Sequence, residues 1–366
     1  MNIIFDCRYT RIGRHDGISR YTARMVTELG KLHPVTMLIS DTRQREMLPD
    51  LPWVLGPSPT SAREPLVALA VNAFAPDVVF TPMQTMGPAF RRYALVTTVH
   101  DLIYYTHRTP PRDLAWPIRL LWRGYHLWWG FQRAVLNRAD AHVVVSETTG
   151  ALMAEHRLTR NPVTVIISGT DHPQPRPVRG SANNSAQSPH GSRDLVYMGS
   201  FMPYKNVDLL ARAMHKLPGY RLRLMSRIGD SERERLTAMA PSGSVDFVNG
   251  ATEEVYTDAL LNALALVTAS KDEGFGLPIV EAQALGTPTI VSDIGIFREI
   301  AGPHSGFFDP SSVDEFVSAV RMLEDEATWR ARSAASFAWA ERFSWSAAAA
   351  QLLEVLTETV TRRQAH

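Results

Sequence analysis

Glu273 and Glu281 lie in the stretch SKDEGFGLPIVEAQALGTP, in the second half of the chain. The glycines that follow Glu273 disfavour a helix at that point and let the backbone approach a ligand closely. Pro278 suits the first turn of a helix, which we expect over 277–285. Two carboxylates can each bind a pair of vicinal hydroxyls, and exposed amides at a helix start bind anions. The stretch therefore predicts a site for a ligand that carries both hydroxyl and anionic groups.

Three shorter motifs follow predicted strands. In GSFMPYKN, Lys205 precedes a helix, where a lysine opposes the helix dipole, so a helix-stabilising role is disfavoured. Phosphate binding is favoured over the alternative of a flexible surface lysine. His100 and Asp101 end another strand, where a hydrogen-bonding role and a purely structural one both stay open. Gly17, in RIGRHDGISRY, fits either a close approach to a ligand or an ordinary turn. Its surroundings lack the G-x-G-x-x-G pattern of a dinucleotide-binding fold.

Short apolar runs alternate with amphipathic helical patterns along the chain, beginning with a helical pattern over 17–31. Continuous apolar strands separated by helices predict parallel sheets that are covered on both faces. We therefore expect an α/β protein with two doubly wound domains facing across a cleft, where ligands bind beyond the carboxyl ends of the strands. The predicted strands are 2–5, 35–39, 77–80, 95–99, 142–145, 195–198, 221–225, 245–247, 264–268, 289–291 and 306–308.

The alternation stops over HPQPRPVRGSANNSAQSPHGSR, which has almost nothing to bury. This composition indicates a linker or disordered loop over 172–193, and a long surface insertion within one domain is the alternative. We predict an N-terminal domain over 1–171 and a C-terminal domain over 194–345. The last segment, 346–366, contains a helix that we expect to pack on the N-terminal domain.

Bulk composition excludes several classes of protein. The 366 residues carry 38 basic and 37 acidic side chains, so nothing suggests a nucleic-acid partner. The single cysteine, Cys7, excludes a disulfide within the chain and disfavours a cysteine-based metal site. The N-terminus predicts a strand rather than a signal peptide, and no apolar run reaches bilayer length. We therefore expect a cytoplasmic protein.

The string EGFGLP-E-A-GTP, in a strand–loop–helix context, resembles the hallmark of family 4 of the retaining glycosyltransferases, which have the GT-B fold. The resemblance implies that Glu273 faces the donor hexose and that Glu281 binds the ribose. It also places Lys205 on the donor diphosphate and His100 near the reacting centre, with Asp101 as a further candidate. The implied donor site further includes Gly17, Gly199, Ser200, Gly274, Phe275, Gly276 and Leu277.

The chain departs from the family beside Lys205. The family commonly has an arginine directly after the glycine or directly before the lysine, as a second phosphate clamp. Ser200 and Tyr204 occupy these two positions here. Arg20 and Arg227 are candidates to complete the clamp, and a weaker hold on the diphosphate is the alternative.

The resemblance implies a hexosyltransferase of the EC 2.4.1 type that acts with retention of anomeric configuration. Its implied mechanism is attack and departure on one face of the sugar, rather than double displacement through a carboxylate nucleophile. No metal or other cofactor is expected, because cations and helix dipoles hold the diphosphate. We favour GDP-mannose as donor, place UDP-glucose second, and expect a glycan or lipid-linked acceptor in polysaccharide or glycolipid synthesis.

Two other functions stay in view. The missing arginine motivates a non-catalytic sugar-nucleotide-binding protein of the same fold, whereas an oxidoreductase is disfavoured by the absent dinucleotide motif. Segment 112–138 combines four tryptophans with several arginines. Such a segment either packs its tryptophans inside the protein or makes a peripheral membrane contact.

Overall fold

The computed structural model describes residues 1–108, 116–125, 128–170 and 191–365. The chain divides into two compact units. The N-terminal unit combines Met1–Gly169 with Ser344–His366, and the C-terminal unit is Thr170–Phe343. Most of the predicted linker, residues 172–190, lies outside the described residues.

A parallel sheet of seven strands forms the centre of the N-terminal unit within the described part of the chain. Its strands are β1 (Ile3–Asp6), β2 (Val35–Ile39), β3 (Trp53–Leu55), β4 (Val78–Thr81), β5 (Ala94–Val99), β6 (Ala141–Val144) and β7 (Val163–Val165). They lie in the order β3-β2-β1-β4-β5-β6-β7. The central strands are buried along their whole length, as a sheet covered on both faces requires.

The helices of the N-terminal unit cover this sheet. They are α1 (Gly17–Leu32), α2 (Val67–Val71), α3 (Ile103–Thr106), α4 (Trp116–Tyr125), α5 (Trp129–Leu136) and α6 (Glu147–Glu155). The α1 helix begins after Asp16, whose carboxylate accepts a hydrogen bond of 2.9 Å from the amide of Ser19. Such a cap satisfies one of the free amides at a helix start. The cap therefore fixes where the chain turns from the β1 loop into α1.

The C-terminal unit repeats this architecture with six parallel strands among the residues described. Its strands are β8 (Asp194–Tyr197), β9 (Arg221–Leu224), β10 (Val245–Phe247), β11 (Ala265–Thr268), β12 (Thr289–Ser292) and β13 (Gly306–Phe308), in the order β10-β9-β8-β11-β12-β13. Its helices are α7 (Val207–Ala213), α8 (Asp230–Ala238), α9 (Glu253–Asn262), α10 (Leu277–Ala284), α11 (Gly295–Ile300), α12 (Val313–Met322) and α13 (Glu326–Ala340). The strand order reverses between β8 and β11, which places a topological switch point there.

The last helix, α14 (Trp345–Gln364), belongs to the N-terminal unit, where it packs on α1, β4 and β5. Ser344 caps its start by accepting a hydrogen bond from the amide of Ala347. Apolar residues of α14, among them Leu352 and Leu356, are fully buried. The predicted return of the C-terminal helix to the N-terminal domain is thereby confirmed.

The predicted strands agree with the observed ones to within one residue at each end. Two observed strands, β3 and β7, were not predicted. Both are three-residue edge strands that are only partly buried, so neither carries the continuous apolar run that marks the central strands. Among the helices that the structure describes, none combines the length and the apolar character needed to cross a bilayer.

His142, on β6, makes the stability of the N-terminal unit depend on pH. The side chain is fully buried, and its ring nitrogens lie 2.7 Å from the Thr97 hydroxyl and 3.2 Å from the Thr159 hydroxyl. Burial lowers the pKa of His142 from 6.5 to about 4. The unfolded chain therefore binds a proton more readily, and stability that is complete above pH 6.5 is lost as the pH falls towards 4.

We expect the free energy of unfolding to fall between pH 7 and pH 4.5 by about 2 kcal/mol from this residue alone. Urea unfolding of the wild type and of His142→Gln at both pH values measures this contribution, because glutamine can keep both hydroxyl contacts without titrating. An equal fall in both proteins would show that His142 does not carry the effect.

Candidate functional site

The loop between β11 and α10 presents Glu273 and then bends sharply into the helix. Gly276 is the N-cap of α10 and has φ of +99°, a conformation that residues with a side chain rarely adopt. A Cβ atom at Gly276 would lie 3.1 Å from Ile279 Cδ1 and 3.3 Å from Phe297 Cε1. Glycine is therefore needed at position 276 both for the left-handed turn and for the close packing against Ile279 and Phe297.

The start of α10 carries backbone amides for which the described part of the chain provides no acceptor. Within the described residues, the amides of Phe275, Gly276 and Leu277 make no hydrogen bond to a backbone or side-chain acceptor. Pro278, the next residue, has no amide hydrogen. Phe275 is held in place by its buried ring, which packs edge-on against Phe343. Amides at a helix start can donate to an anionic or hydroxyl-bearing ligand.

Lys205 reaches the same edge of the sheet from the loop between β8 and α7. It ends a short 3-10 turn, Pro203–Lys205, and Asn206 then adopts a left-handed conformation that starts α7. The Lys205 ammonium forms an ion pair with the Glu273 carboxylate, and the two side chains are only 12% and 17% exposed. The ammonium also lies 5.3 Å from the centre of the Tyr204 ring. This ion pair connects two loops that lie far apart in the sequence.

Two hydrogen bonds fix the glycine-containing loop after β8. The hydroxyl of Tyr197 donates to the Ser200 carbonyl at 2.6 Å, and the Gly199 amide donates to the Ser226 hydroxyl at 3.0 Å. Burial raises the pKa of Tyr197 well above its ordinary value, so the hydroxyl keeps its proton. A Cβ atom at Gly199 would lie 2.8 Å from that hydroxyl. The loop therefore needs glycine beside Tyr197.

Some of these groups line a pocket within the C-terminal unit, which has an empty volume of about 300 Å³ that includes its open mouth. Lys205, Glu273 and Gly276 contribute to its wall, together with Tyr197, Thr268 and Phe297. The pocket lies beyond the carboxyl ends of β8 and β11, at the topological switch point of the sheet. The structure thus brings together the lysine and the first glutamate of the predicted site.

Glu281, the second glutamate of the predicted site, lies on α10 and outside the lining of the pocket. It is the fifth residue of α10, is 6% exposed and is not among the residues that line the pocket. Its assignment to the ribose stays a prediction.

Arg227 lies close to the Gly199 loop. It directly follows Ser226, whose hydroxyl accepts from the Gly199 amide. The exposed side chain of Arg227 packs over Gly250, where a Cβ atom would lie 2.7 Å from Arg227 Cγ. The contact with the loop that precedes Lys205 is therefore made by Ser226, the residue directly before Arg227. This position is compatible with the predicted phosphate clamp.

His100, in the N-terminal unit, is held by two neighbours. Its Nε2 lies 2.8 Å from the carbonyl oxygen of Pro82, and its ring packs edge-to-face with Tyr21 at 4.9 Å. Because a carbonyl only accepts, we assign the proton to Nε2, which leaves a lone pair on Nδ1. Burial lowers the pKa of His100 below its ordinary value. The ring is therefore neutral near pH 7 and can accept a hydrogen bond from a ligand hydroxyl.

Other predicted residues of the N-terminal unit have clear local environments. Asp101 accepts a hydrogen bond of 3.2 Å from the Ile103 amide at the start of α3. Gly17 is exposed, and a Cβ atom there would meet nothing within 4 Å. Arg20 is partly buried on α1. Ser146 caps α6 by accepting a hydrogen bond from the Thr149 amide at 3.1 Å.

Sequence reasoning missed Tyr197, Ser226 and Tyr21, which position the predicted residues. Each has an ordinary place in the sequence pattern, at a strand end or on the buried face of a helix. A tyrosine that ends an otherwise apolar strand, as Tyr197 does, was the one available signal. Its role depends on a carbonyl three residues later, which no pattern specifies.

Two protein-family models match the chain. The model of glycosyltransferase family 4 matches residues 15–173, and the model of glycosyl transferases group 1 matches residues 179–336. An MMP alpha-(1->4)-mannosyltransferase of Mycolicibacterium hassiacum is 27% identical over 294 residues, which cover 74% of this chain and 66% of the relative. A D-inositol 3-phosphate glycosyltransferase of Mycolicibacterium smegmatis is 28% identical over 226 residues, which cover 59% of this chain and 52% of the relative. The matches thus span between about half and two thirds of these relatives.

Solved structures of the same fold cover nearly the whole chain. A sucrose-phosphate synthase from Thermosynechococcus elongatus superposes with a TM-score of 0.75 at 20% identity, covering 99% of this chain and 100% of that one. Anabaena HepE in complex with UDP and glucose superposes with a TM-score of 0.69 at 17% identity, covering 98% and 99%. At these identities the likeness establishes the fold, which is the predicted GT-B architecture of two Rossmann-like units. Because the two family models together match nearly all of 15–336, the chain belongs to the family 4 glycosyltransferases.

Proposed function

We propose that this protein transfers a hexose from a nucleoside diphosphate sugar to a glycan or lipid-linked acceptor, with retention of anomeric configuration. The observation that carries the proposal is the Lys205–Glu273 ion pair in the wall of a pocket at the switch point of the sheet. Unused amides at the start of α10 add donors beside the same loop. A cation, a carboxylate and free amides together match the diphosphate and the hydroxyls of such a donor.

The ion pair leaves Lys205 able to bind phosphate. An ammonium group has three N–H donors, and Glu273 accepts one of them. The carboxylate fixes the position of Lys205 at the pocket wall, and its remaining lone pairs can accept from sugar hydroxyls. The glutamate therefore has two roles in this proposal, as a support for the lysine and as a contact for the hexose.

The reaction is proposed to take place on one face of the sugar. The bond between the anomeric carbon and the diphosphate oxygen breaks, and the acceptor oxygen bonds to the same carbon from the same side. The acceptor proton passes to the departing diphosphate oxygen. The protein contributes position and charge, with Lys205 and the α10 amides stabilising the diphosphate and His100 accepting from a hydroxyl.

The donor is proposed to be GDP-mannose, with UDP-glucose second. The relatives named as mannosyltransferases, from Mycolicibacterium hassiacum and as WbdA of Escherichia coli, support mannose. The HepE structure with UDP-glucose supports the second choice. The proposed reaction belongs to polysaccharide or glycolipid synthesis, which is supported by WaaG, a solved neighbour and a glycosyltransferase involved in lipopolysaccharide biosynthesis.

A non-catalytic sugar-nucleotide-binding protein is the second candidate. Ser200 and Tyr204 stand where the family commonly has an arginine, so the clamp on the diphosphate depends on another cation. Arg227 is placed next to Ser226 and hence near the Gly199 loop, which supports it in that role. Metal independence is part of the proposal, and among the side chains described no group of three or more His, Cys, Asp or Glu converges on a common point.

A donor panel separates the two candidates. We expect calorimetric binding of GDP-mannose, weaker binding of UDP-glucose and UDP-N-acetylglucosamine, and slow hydrolysis of the bound donor that a chelator does not change. Binding without release of nucleotide, even with an acceptor extract, would favour the non-catalytic protein. Absence of binding to every donor would contradict both candidates, and loss of hydrolysis with chelator would contradict metal independence.

Replacing Lys205 by methionine removes the cation from the pocket while keeping most of its volume. We expect Lys205→Met to lower kcat/KM about 100-fold or more, the order of magnitude found when one preorganised charge or donor is removed. Lys216→Met is the matched control, because Lys216 forms an exposed ion pair with Asp314 away from the pocket. Steady-state kinetics of both variants, with circular dichroism as a check of folding, test this assignment. Equal activities would remove Lys205 from the site.

Gly17→Ala tests whether α1 begins beside a ligand. The fold leaves open space at this position, so alanine should not lower the melting temperature and is better suited to a helix. We expect activity to fall at least tenfold if the backbone of Gly17 contacts the donor or acceptor. Gly150→Ala in α6 is the control, because a Cβ there meets side chains at an ordinary 3.5 Å. Full activity of Gly17→Ala would refute the assignment of Gly17.

A further inference from the structure

Two consecutive helices of the N-terminal unit carry an exposed apolar surface. We call it the α4–α5 face, and it comprises large apolar side chains that are each more than half exposed. They are Trp116 (76%), Leu121 (75%), Trp128 (64%), Leu120 (63%), Phe131 (53%) and Ile118 (51%). Single exposed apolar residues are common on proteins, but such a concentration within 116–131 usually marks an interaction surface.

The exposed side chains do not result from helices that fail to pack. Trp122 of α4 packs edge-to-face with Tyr104 at 5.0 Å. Trp129 of α5 stacks between the rings of Tyr105 and His156, at 4.0 and 4.4 Å. Each helix is thus anchored by one tryptophan, while other tryptophans and leucines of the same segment face solvent. The sequence alone left open whether these tryptophans pack inside the protein, and the structure divides them into two groups.

The charge of the segment is strongly one-sided. Residues 116–138 contain Arg119, Arg123, Arg133 and Arg138 and no aspartate or glutamate. The whole chain, by contrast, is nearly balanced, with 38 basic and 37 acidic residues. Arg119 and Arg123 lie one turn apart on α4, beside Leu120 and Leu121. Guanidinium groups beside exposed tryptophan and leucine are complementary to a surface with anionic groups above an apolar layer.

We propose that the α4–α5 face docks on a membrane surface that contains anionic lipids. The α4 helix has ten residues, so its length of about 15 Å is half of the roughly 30 Å hydrocarbon core. It therefore lies along the interface, with tryptophan and leucine side chains at the level of the headgroups and arginines on lipid phosphates. A lipid-linked acceptor at this surface rests on the proposed function, whereas the lipid contact itself does not.

A second copy of the chain fits this face less well. A two-fold contact would place the arginines of one copy against those of the other, and this face offers them no acidic side chain. An acidic protein is another candidate occupant of this face. A binding test with pure lipids and the purified protein contains no such partner and therefore measures the lipid contact alone.

Vesicle co-sedimentation of the full chain tests the proposal. Vesicles of phosphatidylcholine alone are compared with vesicles that contain equal parts of phosphatidylcholine and phosphatidylglycerol. We expect at least tenfold tighter binding to the anionic vesicles, weakened by 0.5 M salt because exposed charges are screened (~3–5 Å Debye length). Tryptophan fluorescence should shift to shorter wavelength on binding, as indole rings leave water.

Two variants locate the contact. We expect the triple variant Trp116→Ser, Leu121→Ser, Trp128→Ser and the double variant Arg119→Gln, Arg123→Gln each to bind anionic vesicles at least tenfold more weakly. The matched control is Leu55→Ser, Leu69→Ser, Phe90→Ser, which removes three exposed apolar side chains elsewhere in the same unit. Circular dichroism and binding of soluble donor should be unchanged in all of them, which shows that each variant is folded.

Several results would overturn the proposal. These are equal binding to neutral and anionic vesicles, wild-type binding by the triple variant, or a concentration-dependent dimer in light scattering that the triple variant abolishes. The last result would assign the face to a second copy. Failure of the proposed function would appear differently, as vesicle binding that persists in a protein that neither binds nor hydrolyses any donor.

Discussion

Lys205 and Glu273 belong to loops separated by 68 positions in the sequence, and their ion pair joins these loops at the carboxyl edge of one sheet. Largely shielded charges of this kind are costly to desolvate, and replacement of such a pair by apolar residues is often neutral or stabilising. Stability alone therefore gives a weak reason for the pair. Ligand binding gives a stronger reason. The pair lies in the wall of a pocket, beside amides of α10 without an acceptor among the described residues, so a ligand can contact both the ammonium and the carboxylate.

The sequence was most informative where a residue type is required by backbone geometry or packing. Gly276 shows this well, because its φ of +99° and the nearby Ile279 and Phe297 leave no alternative to glycine. The central strands were predictable for a related reason, since burial on both faces demands an unbroken apolar run. The edge strand β3 has only partly buried residues and lacks such a run, so its pairing with β2 depends on tertiary structure.

The positions of side chains were harder to predict from the sequence than the positions of the loops that carry them. The shared role of Glu273 and Glu281 was inferred from the family resemblance, and nothing in the sequence indicated that Glu281 is buried on α10 outside the lining of the pocket. In the N-terminal unit, Tyr21 packs against both His100 and Trp345, the first residue of α14. The orientation of His100 therefore depends on a helix that is more than 240 positions later in the sequence. Contacts of this kind arise from the fold as a whole and leave no local pattern.

The balance of charge in the pocket explains why the neighbours of Lys205 matter. Glu273 neutralises the lysine, so the pair alone has no net charge to offset the negative charge of a diphosphate. Amides at the start of α10 contribute only the partial positive charge of a helix end. A full second cation must therefore come from outside the pair. Arg227 is our candidate for this cation, because the hydrogen bond from the Gly199 amide to the Ser226 hydroxyl holds the adjoining segment against the loop that leads to Lys205.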